Sequence, residues 1–404
     1  MNRFFLGTLA GISLLGGCAT PQISQAQTAI AQPEARCSNG SLSIDTNFPT
    51  GALAECEVKS NKQVSITIAP EDAPPINCSA WYAFRITLPK PGKLKVSLKY
   101  TACGHRYWPK YSHDGVTWNS FNARDVRIRE FSGRKMAEIK IKTDGKPLFI
   151  AGQEIIVPAT YSAWLSQLEK SPEVSGFMLG KSAQGRDIPG ATIGNPNAKE
   201  VVVLLGRQHP PEVTGALALF PFVETILADN EEAKAFRQRF QIVLVPMLNP
   251  DGVVLGHWRH NTGGKDLNRD WGPFEQPETR LMRDLLEGID ADPARKLRLF
   301  LDFHSTQEDV VYTLTKDQVT NPPGLMDAFI ADYQARTPGY EVVEKPGHNA
   351  TSAVSKAWVY ERFGVPTATY ELGDETDRTL IRKVGKAAAE SMMAVLMKSD
   401  APAE

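Results

Sequence analysis

Near residue 158 the spacing of apolar residues changes, and that change limits what the chain can fold into. Upstream, short runs alternate apolar and polar residues, as in Val64-Ser-Ile-Thr-Ile68, Ala83-Phe-Arg-Ile-Thr-Leu88 and Leu94-Lys-Val-Ser-Leu98. Turn sequences separate them, among them Pro89-Lys-Pro-Gly92 and His113-Asp-Gly115. A period of two with frequent turns predicts half-buried strands in a small β-sandwich. Downstream the apolar runs become continuous: Val201–Leu205, Ile242–Val245 and Leu299–Leu301. Unbroken runs of that length predict strands covered on both faces. Helical spacing appears between them over 213–228, 275–288, 324–337, 352–363 and 378–397. Alternating strands and helices predict an α/β domain with a largely parallel or mixed sheet flanked by helices. The expected organisation is a sandwich over 36–155 followed by the α/β domain over 156–400.

The N-terminus reads as an export signal. Met-Asn-Arg precedes an apolar run, Phe4–Gly17, too short to span a bilayer but suited to a signal peptide over residues 1–17. It ends in Leu15-Gly16-Gly17-Cys18, which resembles a bacterial lipoprotein cleavage box with Cys18 as the lipidated residue. Residues 18–35, poor in large apolar groups, then form a flexible tether. The expected address is the periplasmic or cell-surface side of a membrane, held by the lipid. Four cysteines remain, Cys37, Cys56, Cys78 and Cys103, all in the sandwich. An even count in an exported chain predicts disulfides with three possible connectivities. Sequential pairing, Cys37 with Cys56 and Cys78 with Cys103, is the simplest of these. The formal net charge of −1 gives no reason to expect a nucleic-acid partner.

Ligands of open α/β sheets bind beyond the carboxyl ends of strands. Val201–Leu205 leads into Gly206-Arg-Gln-His209-Pro-Pro-Glu212, Leu299–Phe303 into His304, and Thr367–Tyr370 into Glu371. Three runs thus deliver His, Glu, His and Glu to one edge. His209 and Glu212, three apart at the expected start of a helix, would share a face. His304 is the one histidine of seven that ends a buried strand, with Asp302 before it. Two His and one Glu with an open fourth position form a catalytic zinc set, one ion per chain. Glu371 is the natural base for a hydrolytic water. Arg259 and Arg269 suit two anionic tasks, one polarising a scissile carbonyl and the other clasping a terminal carboxylate, or else brace their loop against Asp251, Asp266 or Asp270.

Together these residues resemble the zinc carboxypeptidase family in its cytosolic-carboxypeptidase-like branch. The matching stretches are Gln208-His-Pro-Pro-Glu212, Pro246-Met-Leu-Asn-Pro-Asp-Gly-Val253, Gly256-His-Trp-Arg259, Asp266-Leu-Asn-Arg-Asp-Trp271, Asp302-Phe-His304 and Tyr370-Glu371. Members usually carry Gly where this chain has Pro211. Trp81-Tyr-Ala-Phe-Arg85, Tyr111-Ser112 and Trp118 resemble the sandwich that precedes the catalytic domain in that branch. The resemblance covers roughly residue 60 to the C-terminus. It implies a zinc-carboxypeptidase-like mixed sheet and His209, Glu212 and His304 as zinc ligands. It further implies Arg259 as the oxyanion group, Asn268 and Arg269 as binders of the substrate's free C-terminal carboxylate, and Glu371 as the base that activates zinc-bound water. The family's mobile tyrosine has no well-spaced counterpart; Tyr360 is the nearest. A zinc amidohydrolase of the aspartoacylase and succinylglutamate desuccinylase type shares His-x-x-Glu and Asn-Arg, but the sandwich and Asn249-Pro-Asp-Gly252 favour the carboxypeptidase. Retention of ligands, base and arginines argues against a non-catalytic binding protein.

Overall fold

A computed structural model describes residues 36–73, 77–131 and 133–399. The signal segment, the tether and Cys18 lie outside these residues. The N-terminal part is a sandwich of a six-stranded and a five-stranded sheet. Alternation works there as the sequence predicts. Strand Gln63–Ile68 turns Val64, Ile66 and Ile68 into a core shared with Phe84, Ile86, Val96 and Leu98. Among the described residues the sandwich strands pair antiparallel except Gln63–Ile68 beside Gly92–Tyr100, which is parallel. Cys37 is bonded to Cys56 and Cys78 to Cys103, the sequential pairing.

The C-terminal part is an eight-stranded mixed sheet. Its centre is four parallel strands in the order Phe240–Val245, Glu200–Gly206, Lys296–Thr306 and Thr367–Gly373. Two antiparallel strands, Val174–Lys181 and Asp187–Gly194, extend one edge. Val310–Thr313 and Glu344–Pro346 extend the other. The apolar runs are continuous because both faces are covered. Val202, Leu204, Ile242, Leu301 and Phe303 pack against helices Val213–Ile226 and Arg378–Lys398. Val201, Val203, Leu205 and Val243 pack against helices Pro277–Asp290 and Ser355–Phe363.

Two local features place the site. Helix Val213–Ile226 lies so close to the sheet that a Cβ on Gly215 would stand 2.4 Å from the His304 carbonyl oxygen. Only glycine fits, and the close approach sets the helix start beside His304. The short helix Pro250–Leu255 is N-capped by Asn249, whose side-chain oxygen accepts from the Gly252 amide, and ends at Gly256 with φ +66°. The chain then dips into the sandwich: Trp258, 1% exposed, belongs to the sandwich core. Sandwich and mixed sheet accordingly fall within one compact unit. Among the described residues no helix is long and apolar enough to cross a membrane.

Candidate metal centre

His209 and Glu212 come from the turn after strand Glu200–Gly206. They do not share a helical face: Pro210 and Pro211 intervene, and the helix begins only at Val213. Proline has no amide to donate and restricts the residue before it, so this stretch stays outside the helix. The turn is built instead around Arg207, whose backbone sits at φ +51°. Its guanidinium bonds the Pro210 carbonyl at 2.9 Å and the Tyr161 hydroxyl at 3.2 Å, holding an unfavourable backbone in place. His304 and Glu371 lie within their strands rather than past the ends. Those strands run on to Thr306 and Gly373, and the two residues are direct neighbours in the parallel register.

The three ligand candidates converge. Glu212 Oε1 lies 2.8 Å from His209 Nδ1, and Glu212 Oε2 lies 2.7 Å from His304 Nδ1. The two Nδ1 atoms are 3.1 Å apart. All three residues are at least 95% buried. Each histidine points its other nitrogen at a carboxylate: His209 Nε2 at Asp266 Oδ1, 2.9 Å, and His304 Nε2 at Asp302 Oδ2, 2.9 Å. A neutral imidazole that donates from Nε2 leaves an Nδ1 lone pair facing inward. Two such lone pairs and a carboxylate aimed at one point repel one another unless a cation lies between them. The donor set, with a carboxylate behind each imidazole, fits zinc. Burial opposes ionisation of Glu212, but His209 and His304 hold its carboxyl well below the usual range. Burial likewise works against a charged His304, but Asp302 and Glu212 raise it well above an ordinary imidazole, so the ring presents its inward lone pair only when a cation takes the place of the proton.

The ligands open onto a polar cavity of about 120 Å³ that also collects Arg259, Asn268, Arg269 and Glu371. Glu371 is pushed up to about 7, first by burial and then by the Glu212 carboxylate, while His304 and Arg259 pull the other way. Arg259 donates from Nε to Asp266 Oδ2 at 2.8 Å and from Nη1 to Glu212 Oε1 at 3.3 Å. Of the two arginines, then, Arg259 is braced by an aspartate from its own loop. Arg269 is not: its Nη1 donates to the carbonyl of Asn268 at 2.6 Å, and among the described residues no carboxylate pairs with it. Asn268 is fixed by its Oδ1, which accepts from the Ser355 amide at 2.9 Å. Asp251 and Asp270 serve other ends, the first bonded to Ser182 and Arg186 and the second to the amides of Glu275 and Gln276.

A family model described as zinc carboxypeptidase matches residues 161–391, more than half of the chain. The chain belongs to the zinc carboxypeptidase family. Among curated relatives, mouse cytosolic carboxypeptidase 6 is 30% identical over 162 residues, covering 37% of this chain and 30% of that protein. Mouse cytosolic carboxypeptidase 3 is 24% identical over 312 residues, 69% of this chain and again 30% of the relative. The match thus spans under a third of the length of either relative. Among solved structures, a metallo-carboxypeptidase from Burkholderia cenocepacia superposes with a TM-score of 0.74 at 21% identity, covering 88% of this chain and 99% of that one. A metallo-carboxypeptidase from Pseudomonas aeruginosa gives 0.70 at 18% identity, with 88% and 100% coverage. Both share the fold over sandwich and mixed sheet together.

Several residues of this carboxypeptidase cavity escape a reading of the sequence. Arg106 reaches it from the sandwich, clamped by Asp374 at 2.7 Å, and Asn77 stands beside it. Tyr312 and His348 stack with ring centres 4.1 Å apart on another wall. Lys356 is 1% exposed, donates to the Thr313 carbonyl at 3.2 Å and, among the described residues, meets no carboxylate. Burial pushes its ammonium down to about 8. Tyr360 is elsewhere, donating to the Val319 carbonyl at 3.3 Å. Asp266 could have been suspected: an Asp in a polar motif that also supplies Asn268 and Arg269 is a natural partner for a ligating histidine. For Arg106 and Lys356 no local pattern gives a signal.

Proposed function

We propose that this chain is a zinc-dependent metallocarboxypeptidase that hydrolyses the C-terminal peptide bond of peptides with a free carboxylate. The observation that carries the reading is the convergence of two inward-facing imidazoles and Glu212 in one cavity with the half-buried base Glu371 and with Arg269, which meets no carboxylate among the described residues. His209, Glu212 and His304 hold one ion. When bound, zinc supplies Lewis acidity to the scissile carbonyl and to the attacking water. Glu371 takes the water proton and hands it to the leaving amine; a carboxyl poised near neutrality suits both transfers. Arg259 offers its guanidinium to the developing oxyanion. Arg269, with Asn268 beside it, clasps the terminal carboxylate. Lys356, a buried cation without a counter-charge, favours an acidic terminal side chain, since a carboxylate there would supply the missing partner.

Glu371→Gln tests the assignment. Zinc should stay bound while kcat falls about 10²–10⁴-fold. Wild type should cleave free-carboxylate peptides and cut their C-terminally amidated counterparts poorly. Equal cleavage of both removes the carboxylate clasp, and cleavage of N-acyl amino acids alone transfers the site to the amidohydrolase class. The apolar run ending at Cys18, together with two disulfides, supports export and lipid anchoring. Labelling of the mature protein with a palmitate analogue checks this; a mature form starting downstream of Cys18 and unlabelled refutes it.

A further inference from the structure

We infer that Glu71 of the sandwich is a positioning residue for Arg259, so that the sandwich sets the geometry of the oxyanion group. The inference rests on the catalytic role proposed for Arg259. That arginine sits on an irregular stretch after Gly256, and its guanidinium is fixed from one side by Asp266. Its backbone is fixed from the other side by a single carboxylate. Glu71 Oε2 accepts from the Trp258 amide at 2.6 Å, and Oε1 accepts from the amides of Arg259 and His260, both at 2.8 Å. Three successive N–H groups thus meet one side chain that lies far away in sequence. Charge-assisted bonds of this kind are roughly twice as strong as neutral ones.

The surroundings leave the stretch no other seat. Trp258 is sunk into the sandwich core, and a Cβ on Gly256 would stand 2.7 Å from both the Ala52 methyl and the Thr50 carbonyl oxygen. Val254 accepts from the Thr50 amide at 2.7 Å. His260 Nδ1 meets Asp72 Oδ2 at 2.6 Å. Glu71, Asp72 and His260 also group as a cation site would, but both Glu71 oxygens are already occupied by backbone donors, so the cluster reads as an anchor. Arg259 is therefore held backbone to sandwich and side chain to metal centre. Loss of either hold lets the guanidinium wander from the position in which the oxyanion forms.

A double-mutant cycle with Glu71→Gln, Glu71→Ala and Arg259→Ala decides the point, with zinc content and Tm measured for each variant. Either Glu71 substitution should lower kcat about 10–100-fold, the scale of an ångström-sized misplacement, with KM nearly unchanged and zinc retained. In the Arg259→Ala background the same substitution should cost less than about twofold, because the group it positions is gone. Glu71→Gln keeps the size and one acceptor, so it should lose less activity than Glu71→Ala, and its Tm should stay closer to wild type. An equal loss in both backgrounds, or full kcat in a folded Glu71→Gln protein, overturns the positioning role and leaves the Arg259 assignment standing. Full kcat in Arg259→Ala itself overturns both.

Discussion

Asp302→Asn isolates the part of metal affinity that comes from behind the ligand. Asp302 Oδ2 faces His304 Nε2 at 2.9 Å and also accepts from Gln208 Nε2 and the Ser355 hydroxyl. Gln208 is itself held by the Trp271 indole at 3.0 Å, so the carboxylate is fixed by a chain of bonds reaching into the core. The other oxygen, Oδ1, is buried and has no hydrogen-bond partner among the described residues. Asparagine can therefore place its carbonyl oxygen in the Oδ2 seat, keep all three donors satisfied and leave its amide where no bond was made before. Packing is preserved; the charge is lost and a buried amide donor is added, which lowers stability somewhat without touching the ligand. His304 then donates to a neutral oxygen, its Nδ1 becomes a poorer ligand, and zinc should bind about 10–100-fold more weakly. That corresponds to about 1.4–2.8 kcal/mol. Competition against a chromophoric chelator gives the dissociation constant, and circular dichroism shows that the variant folds. Activity should return largely to normal once zinc saturates the site. A folded variant with unchanged zinc affinity, or one still inactive at saturation, would refute the reasoning.

Other expectations concern substrate and stability. Arg269→Ala should weaken capture of free-carboxylate peptides about tenfold or more, a loss of roughly 1.5–3 kcal/mol, and change cleavage of amidated peptides little, as seen in KM and kcat/KM. Lys356→Met should erase a preference for terminal Glu or Asp over Leu, read from paired peptides by mass spectrometry. Lys356 is charged below about 8 and neutral above, so KM for acid-ending peptides should rise as pH passes upward through that value, while KM for Leu-ending peptides stays level. Trp258→Ala should destabilise the protein by about 3–5 kcal/mol in denaturant unfolding, because it empties a core site shared by sandwich and loop. Replacing Cys78 and Cys103 by Ser releases a 25-residue loop and should cost about 3 kcal/mol in the same assay.

What the sequence reveals follows from how far each feature reaches along the chain. Val201–Leu205 and Leu299–Leu301 announce their strands because burial on both faces leaves no polar interruption. The helices after them show through amphipathic spacing, and observed limits such as Val213–Ile226 and Arg378–Lys398 lie within a few residues of expectation. The edge hairpin Val174–Gly194 gives no such signal, since its first strand is largely exposed and the pair carries four glycines. Helix Glu231–Arg239 is mostly charged, with an Asn230 cap and only Ala233 and Phe236 as buried apolar residues, too few to show as a stripe in the sequence. At the site, residues lying beside strands are legible and residues delivered by tertiary packing are not. His304 and Glu371 follow from the apolar runs that carry them. Lys356 reaches the cavity from a helix start whose sequence promises only a surface ammonium, and Arg106 comes from a loop of the sandwich, between strands Gly92–Tyr100 and Lys110–Ser112.

The same distinction explains why the sandwich belongs to the site. The stretch from Gly256 to Arg269 supplies Arg259, Asp266, Asn268 and Arg269, yet its only regular structure is the single turn Leu267–Arg269. Fixing an irregular backbone costs about 1–2 kcal/mol per residue, which a hydrogen-bonded helix or strand would offset locally and this stretch does not. The compensation is spread over contacts that come from elsewhere. They are the buried Trp258 in the sandwich core, three amides on Glu71, the Asp266 carboxylate shared between Arg259 and His209, and the Ser355 amide on Asn268. Two of these anchors are provided by the sandwich. An isolated mixed sheet would keep His209, Glu212, His304 and Glu371 on their own strands and turn, and so retain a metal site. It would lose the fixed backbone of the loop that carries Arg259 and Arg269, the groups proposed for oxyanion and substrate carboxylate.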